Sequence, residues 1–536
     1  MLYNLDWLNP GRSFPPLVEQ PRIERYVQNA RLFDNEHFAS PLYRHRSGVH
    51  VDSVGMYENC CNRISQVVGN FKDIISVPVL LNYHRFISLK MADLVAGEYP
   101  TITGTTDEEN AKIKWIRDYT MFDERLYSSV IDISRFGDVP IRFYKDEETG
   151  FYNFTIWEAC GWYPIVKQDG TNRITHHCLC WLENKQPDIT EQDDWYLHVQ
   201  IHPVENPGTY EYRVYHNMGD RNTIGRLESQ TTVQTGLDVC DVFHVRSFAV
   251  SGTVYGYDDY VPIDSVLSEI ITRVSQISVI LDKHADPSMV GPPTMLKKNP
   301  VTGEFYLQHS KFYPVTDDDQ KPEYLTWDGQ LNAAFQQLEF LINQLYILSE
   351  MGAALTGGVD GSGNVVTGAA MRSKMVNPLA KARRVSNSLT YAVKRIFSVI
   401  GSNLPDIDTK TGEPGSGDDT PLPLSHISVY WEDGLPDDPR EQIENCKLAT
   451  GEAKMIPLED GLITYFKKSA EEAKALAEKV RESTPLTSAA LGSSATSTEH
   501  NPNKPGPQDG TGVNPQKKGG KTSNFQARNN MKPEDK

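Results

Sequence analysis

No stretch of the 536-residue chain approaches the roughly 18 to 20 consecutive apolar residues of a membrane-spanning helix, which argues against an integral membrane protein. Cysteine is scarce. The seven thiols include the adjacent Cys60 and Cys61, the closely spaced Cys178 and Cys180, and the scattered Cys160, Cys240 and Cys446. Nothing in that spacing suggests a disulfide framework, so reduced thiols are expected. Positive charge is also short: 53 lysines and arginines face 71 acids, for a net charge of -18. The basic surface that grips nucleic acid by releasing counterions is therefore missing overall. That argues against tight duplex binding, but not against a protein past which DNA must slide. The N-terminus, MLYNLDWLNPGRSFPP, lacks the basic region and apolar core of a signal peptide, so the chain is expected to start in a cytoplasm.

Catalytic motifs are missing as well. The glycine-rich stretch GGVDGSGNVVTG has no lysine after its last glycine, so it does not read as a phosphate-binding loop. There is no nucleophile elbow and no HExxH. The segment THHCLCWLE holds zinc-ligand types in His176, His177, Cys178 and Cys180. Strand alternation would send His176, Cys178 and Cys180 to one face and His177 to the other, with no second ligand pair at finger spacing; a packed strand is the expected reading. The acidic runs TDDDQ and WEDGLPDD stand in turn-like contexts and read as solvated caps rather than metal sites. No cofactor, no metal and no enzymatic role are expected, with a metal-dependent hydrolase built on one of those runs as the alternative.

What is present is a folded chain of mixed class, long enough for several cores. Residues up to about 49 are polar and turn-rich and read as an extended arm. The pattern from about 51 to 116 is helical, and YHRFISLKMADLVAGEYPTI should stop at Gly97 and Pro100. Between about 139 and 250 the segments VPIRFYKDEETGFYNFTIW, RITHHCLCWLE, WYLHVQIHPV and YEYRVYHN are aromatic and β-branched with turn residues between them. They predict an antiparallel sheet, the first containing a hairpin, which makes the class α+β.

Two regular helices follow. Ile263, Leu267, Ile270, Val274, Ile277 and Leu281 repeat at steps of four and three, laying one apolar seam along a helix. Leu331, Phe335, Leu338, Ile342 and Leu345 do the same. TMLKKNPVTGEFYLQHSKFYPV between them reads as a small β module with its turn at NPVTGE. The glycine-rich segment after the second helix leads into a third long helix, with Met371, Met375, Leu379, Ala382, Leu389, Ala392, Ile396 and Val399 largely on one side. Pro378 within it predicts a kink. Arg372, Lys374, Lys381, Arg383, Arg384, Lys394 and Arg395 form a local basic excess there, read as a solvated face or a partner for acids on another subunit. TKTGEPGSGDDTPLP reads as a linker, SHISVYWEDGLPDD as a strand and turn, and REQIENCKLATGE and SAEEAKALAEKVRE as helices, the latter opened by a Ser469 cap. Beyond about Thr484 the only aromatic is Phe525, and that tail is expected to be disordered.

The order of these pieces resembles the portal proteins of long-tailed bacteriophages. MADLVAGEYPTI, SRFGDVPIRFYKDEETG, TGAAMRSKM and ISVYWEDGLPDDPRE with TGEAKMIPLEDG carry the likeness, over roughly 77–482. The resemblance implies an arm at 1–50, a wing at 51–260, stem helices at 261–285 and 328–355 and a clip at 286–327. It further implies a tunnel loop at 356–367, a kinked helix at 368–402, a return strand and linker at 403–436, a crown at 437–483 and a tail at 484–536. By the same likeness the loop residues facing DNA would be Val359, Asp360, Ser362, Asn364, Val365 and Val366. Stem packing would rest on Leu267, Ile270, Val274, Ile277, Leu338, Ile342 and Leu345. Lys297, Lys298, Phe305, Tyr306, Phe312 and Tyr313 would form the clip surface that docks terminase or an adaptor. The family implies a homo-oligomeric ring, commonly of twelve, at one capsid vertex of the virion, assembled in the host cytoplasm. Implied partners are double-stranded DNA in the channel, the terminase large subunit, scaffolding and major capsid proteins, and a head-completion protein, with no membrane. Another head component, a connector or minor capsid protein, is the nearer alternative.

Overall fold

A computed structural model of the chain describes residues 1–35, 81–186, 193–217, 220–285, 289–291, 297–298, 305–306, 312–314, 323–324, 331–352, 375–408, 411–415, 420–432, 439–451, 455–466 and 470–483. These fall into two compact units, Met1–Glu441 and Gln442–Lys536.

The first unit opens with a departure from expectation. In place of an extended arm, a short turn leads into helix α1 (Gln20–Phe33), which has a proline in its first turn, where a missing N–H costs nothing. Leu2, Trp7, Leu8 and Phe14 bury themselves with Ile23 and Tyr26 of α1 against Tyr163, Cys178 and Leu197. Their irregular spacing matches the surface of a sheet, which no periodicity in the sequence reveals. Helix α2 (Tyr83–Ala96) is capped by the Asn82 side chain and ends before Gly97 as expected. Strand β1 (Thr101–Thr103) follows, then α3 (Asp107–Tyr119), opened by a reciprocal capping box between Thr106 and Glu109. Helix α4 (Phe122–Phe136) stops at Gly137 in the left-handed conformation, φ 81°. A Cβ there would stand 2.7 Å from the Tyr257 backbone, so both the turn and the close approach require glycine.

The β-rich region is antiparallel, in keeping with the α+β class. Strands β2 (Asp138–Lys145) and β3 (Tyr152–Ile156) form the expected hairpin. Strands β4 (Trp162–Val166), β5 (Ile174–Asn184), β6 (Trp195–Pro203), β7 (Thr209–His216) and β8 (Arg226–Gln234) make a five-stranded meander in sequence order. Strand β9 (Val242–Arg246) returns to pair with β2, giving the order β3-β2-β9. Strand β5 buries Cys178 and Leu179 on its two opposite faces, each fully enclosed. Cys178 packs with the N-terminal segment and Leu179 with Trp162, Cys240 and Val242. The THHCLC segment is thus a packed strand, and among the described residues no group of His, Cys, Asp and Glu is placed to hold a metal.

Helix α5 (Val261–Ala285) is followed by five short strands: β10 (Met289–Gly291), β11 (Lys297–Lys298), β12 (Phe305–Tyr306), β13 (Phe312–Pro314) and β14 (Glu323–Tyr324). Strands β11 and β12 pair antiparallel, the expected turn at NPVTGE lying outside the described residues, while β10 lies between β13 and β14. Helix α6 (Leu331–Leu348) packs against α5. It is shorter than the expected 328–355: Glu350 turns left-handed at φ 57°, and the Ser349 hydroxyl accepts the Met351 N–H, ending the helix although the apolar pattern runs on. Helix α7 (Val376–Ser402) buries Leu389, Ala392, Ile396 and Phe397 in the main core. At about 1.5 Å per residue it is about 40 Å long. Strand β15 (Ser428–Tyr430) closes the unit by pairing with β1.

Helix α8 (Pro439–Thr450) begins at the end of the first unit and runs into the second, where α9 (Leu458–Phe466) and α10 (Ala470–Ser483) follow in order. The core is built of small side chains, Cys446, Ala473 and Ala477. Gly461 lets α9 approach α8: a Cβ there would meet the Thr450 side chain at 2.4 Å. The expected Ser469 cap lies outside the described residues, as does the tail.

Candidate functional site

The described residues converge on one junction, where the roots of α5 and α6 meet α2, α4 and α7. Asp258 caps α5, its carboxylate accepting from the Tyr260 and Val261 amides at 3.0 Å. It also pairs with Arg25 of α1. Burial raises the Asp258 pKa above the usual carboxylate range, with Arg25 pulling against it. In the first turn of α5, Asp264 meets His84 Nε2 of α2 at 2.8 Å. Negative charge at that position also suits the helix N-terminus.

Between these helices runs a buried polar chain. Ser88 bonds Tyr260 at 2.8 Å and Ser134 at 3.0 Å, and Ser134 donates to Asp259 at 2.7 Å. The other oxygen of Asp259 meets the Lys381 ammonium of α7 at 2.7 Å. Lys381 is 6% exposed and donates to the Ser349 carbonyl, at the end of α6, at 2.9 Å. Close by, Arg384 pairs through one nitrogen with both Glu350 oxygens, at 2.7 and 2.6 Å. A buried ammonium is tolerated only with such partners.

The far end of α7 is held by a second buried lysine. Lys112 of α3, 2% exposed, donates to the Leu404 and Thr420 carbonyls at 2.7 and 2.8 Å and reaches that of Gly401 at 3.5 Å. It pairs with Asp406 at 2.9 Å. Hydrogen bonds from Lys112 and Thr420 hold the Asp406 carboxyl below its usual range. The segment TKTGEPGSGDDTPLP, expected to be a linker, is therefore tied on both sides, just before it at Leu404 and Asp406 and near its end at Thr420, with the lysine close to the last carbonyls of α7, where positive charge is favoured.

The seam of α5 is buried from Ile263 to Ile277 but not at Leu281. Leu267 and Ile270 are fully enclosed and Ile277 is buried. Val274, with Leu338 and Ile342 of α6, packs half-buried on the main core, and Leu345 is buried in it. Two seam residues are nevertheless bare, Leu281 of α5 and Phe335 of α6 at 49% each, and off the seam Phe340 is 61% and Ile347 65% exposed. Phe340 and Ile347 stand seven residues apart, on one face.

Lys297 pairs with Tyr306 and Lys298 with Phe305 across the small hairpin. Phe312 and Tyr313 belong to a different sheet, with Met289 and Val290. The backbone thus brings together four of the six tip residues. Val359, Asp360, Ser362, Asn364, Val365 and Val366 lie outside the described residues. Pro378 does not produce a kink within the described helix. It occupies the first turn of α7, where its N–H would have had no intrahelical acceptor. The basic excess is also not one solvated face: Lys381 is buried, and Arg395 lies 4.8 Å over the Phe243 ring while donating to the Cys240 carbonyl. Sequence reasoning missed the anchoring role of Lys381 and Lys112. The available signal was register, since Lys381 falls four before Val385 and Lys112 four before Ile116, on the buried stripes of their helices.

Residues 77–485 match the family model described as phage portal protein, SPP1 Gp6-like. Among solved structures, the chain is similar to one in the neck of an empty gene transfer agent particle computed with C6 symmetry. That match has 12% identity and a TM-score of 0.41, covering 75% of this chain and 93% of the other. A chain of the native gene transfer agent virion matches at 11% identity and a TM-score of 0.38, covering 82% and 99%. No curated protein gives a significant match.

Proposed function

The chain belongs to the SPP1 Gp6-like family of phage portal proteins, and on that premise we propose that its copies close into a ring at one capsid vertex, through which double-stranded DNA enters and leaves. The family match over 77–485 carries the portal role. The ring is supported by the exposed apolar stripe of α6, Phe340 and Ile347, because side chains of that size are commonly covered by a partner. A closing ring needs heterologous contacts, in which one surface of each copy meets a different surface of the next. In this reading α5 and α6 are the stem, and the strands between them are the clip that meets the terminase large subunit or a head-completion protein. Residues 356–367 are the tunnel loop, and 437–483 the crown.

The mechanism needs no chemistry from this chain. A net charge of -18 keeps a channel from binding phosphate at every step, while local groups still touch the passing duplex. Scaffolding and major capsid proteins are the proposed partners at the vertex. Negative-stain electron microscopy of the purified protein tests the ring: end-on views should show an annulus with a central hole, and a population of monomers at high concentration would defeat the reading. Shortening 357–363 tests the loop. Rings should still form while the yield of packaged DNA falls, and an unchanged yield would remove the loop assignment.

A further inference from the structure

The Lys381 ammonium touches two elements at once. Its anionic ligand, Asp259, stands two residues before α5, and its neutral ligand, the Ser349 carbonyl, directly follows α6. Lys381 itself is in the second turn of α7. The roots of both rods and the start of the long helix therefore share one cation. Asp259 extends the contact inward through Ser134 to Ser88 of α2 and Tyr260. Neutral alternatives at this position would leave a carboxylate facing a carbonyl at 18% and 2% exposure, so the polar contact shared by the three segments, which adds to their common apolar core, depends on the cation.

We propose that Lys381 is a positioning residue that couples the α5 and α6 pair to α7, so that a displacement at the root of either rod is felt by the long helix and by both ends of the chain flanking 353–374. The proposal goes beyond the portal reading, resting on the described geometry alone, and it does not require that the ring or the loop assignment be right. Arg384 with Glu350 is the weaker accessory, because that pair is exposed and an exposed pair contributes little.

The test is hydrogen exchange on the full-length protein, comparing Lys381→Met, which keeps an unbranched side chain one atom shorter and removes its charge, with Lys381→Arg. In the methionine variant the amides of 260–264, 349–351 and 379–382 should exchange faster together, by about tenfold or more, with those of β5 and β6 unchanged. The arginine variant should stay within about threefold of the wild type, because it retains a cation for the same two acceptors. Acceleration confined to α7, or equal acceleration throughout the chain, would overturn the coupling, and so would an arginine variant as fast as the methionine one. Should the methionine variant fail to fold, Asp259→Asn takes its place: it keeps the Ser349 contact and removes the anion. The same concerted pattern at 260–264 and 349–351 is then expected, and acceleration at 260–264 alone overturns the proposal. Oligomer size, measured on the same samples by light scattering, separates this outcome from any failure of the ring itself.

Discussion

The five-stranded sheet and the α5 and α6 pair finish their packing in different places. The sheet completes it within one chain: β5 has Cys178 and Leu179 fully enclosed on its opposite faces, by the N-terminal segment on one side and by Trp162 and Val242 on the other. The rod pair completes only one of its faces. Leu267, Ile270 and Leu345 are enclosed, while Phe340 and Ile347, on another face of α6 that reaches its root, are mostly bare. A chain that encloses the centre of its sheet so fully does not leave large side chains outside for want of space. The difference separates what holds a subunit together from what is left for another molecule to cover.

That contrast can be broken at its root or sharpened at its edge. The largest effect on subunit stability is expected from Leu267→Ala, which opens a cavity where α5 enters the core; a loss of about 3 kcal/mol should appear in urea denaturation. Gly137→Ala should cost about 2 kcal/mol, read as a lowered urea midpoint, because the added carbon meets the Tyr257 backbone and the left-handed turn disfavours it.

Acid should weaken the sheet body next. His177 accepts from Trp162 Nε1 at 3.0 Å through Nδ1, which requires the neutral ring. Burial, followed by the neighbouring His244 and His202, holds its pKa well below the ordinary 6.5. The unfolded chain therefore takes up the proton more readily. The stabilisation is complete above pH 6.5 and is lost as pH falls below it. Urea midpoints measured from about pH 7 to about pH 5 should decline, and less steeply in His177→Gln.

Phe340→Ser combined with Ile347→Ser should change subunit stability least, by about 0.5 kcal/mol or less. It should nevertheless shift the protein from large oligomers to monomers in sedimentation velocity. Retained oligomers would mean that this face is not covered by another copy. The sheet body offers the opposite control, since burial pushes the Cys178 thiol up to about 12 and the Cys240 thiol up to about 11. In a variant lacking Cys60, Cys61 and Cys446, a thiol reagent at pH 8 should find no rapidly reacting group until the chain is unfolded.

The sequence discloses what repeats and hides what depends on meeting. The seam from Ile263 to Ile277 and the hairpin joining β2 to β3 were legible because each follows from local periodicity or turn chemistry. The pairing of β1 with β15 joins Ile102 to Val429, and neither three-residue strand signals the other. The N-terminal helix was read as an arm because its apolar residues follow the sheet they cover. Helix α6 was read too long because Ser349 and Glu350 stop it through a turn that the apolar pattern does not mark. Of the candidate site, most of the seam was legible and the lysines were not: Lys381 reads as part of a solvated basic face and Lys112 carries no signal of its own, because their carbonyl and carboxylate partners come from distant parts of the chain.

Lys112 also bears on how the protein may be labelled. Its grip on the Leu404 and Thr420 carbonyls and on Asp406 ties down the chain on either side of the bend at Gly412, which has φ 72° and open space around it and is closed by local backbone bonds, Gly412 to Asp408 and Asp408 to Glu413. An epitope or fluorophore-binding peptide spliced in at that bend hangs from a fixed base. It offers a genetic handle for counting and tracking copies without disturbing the helices on either side.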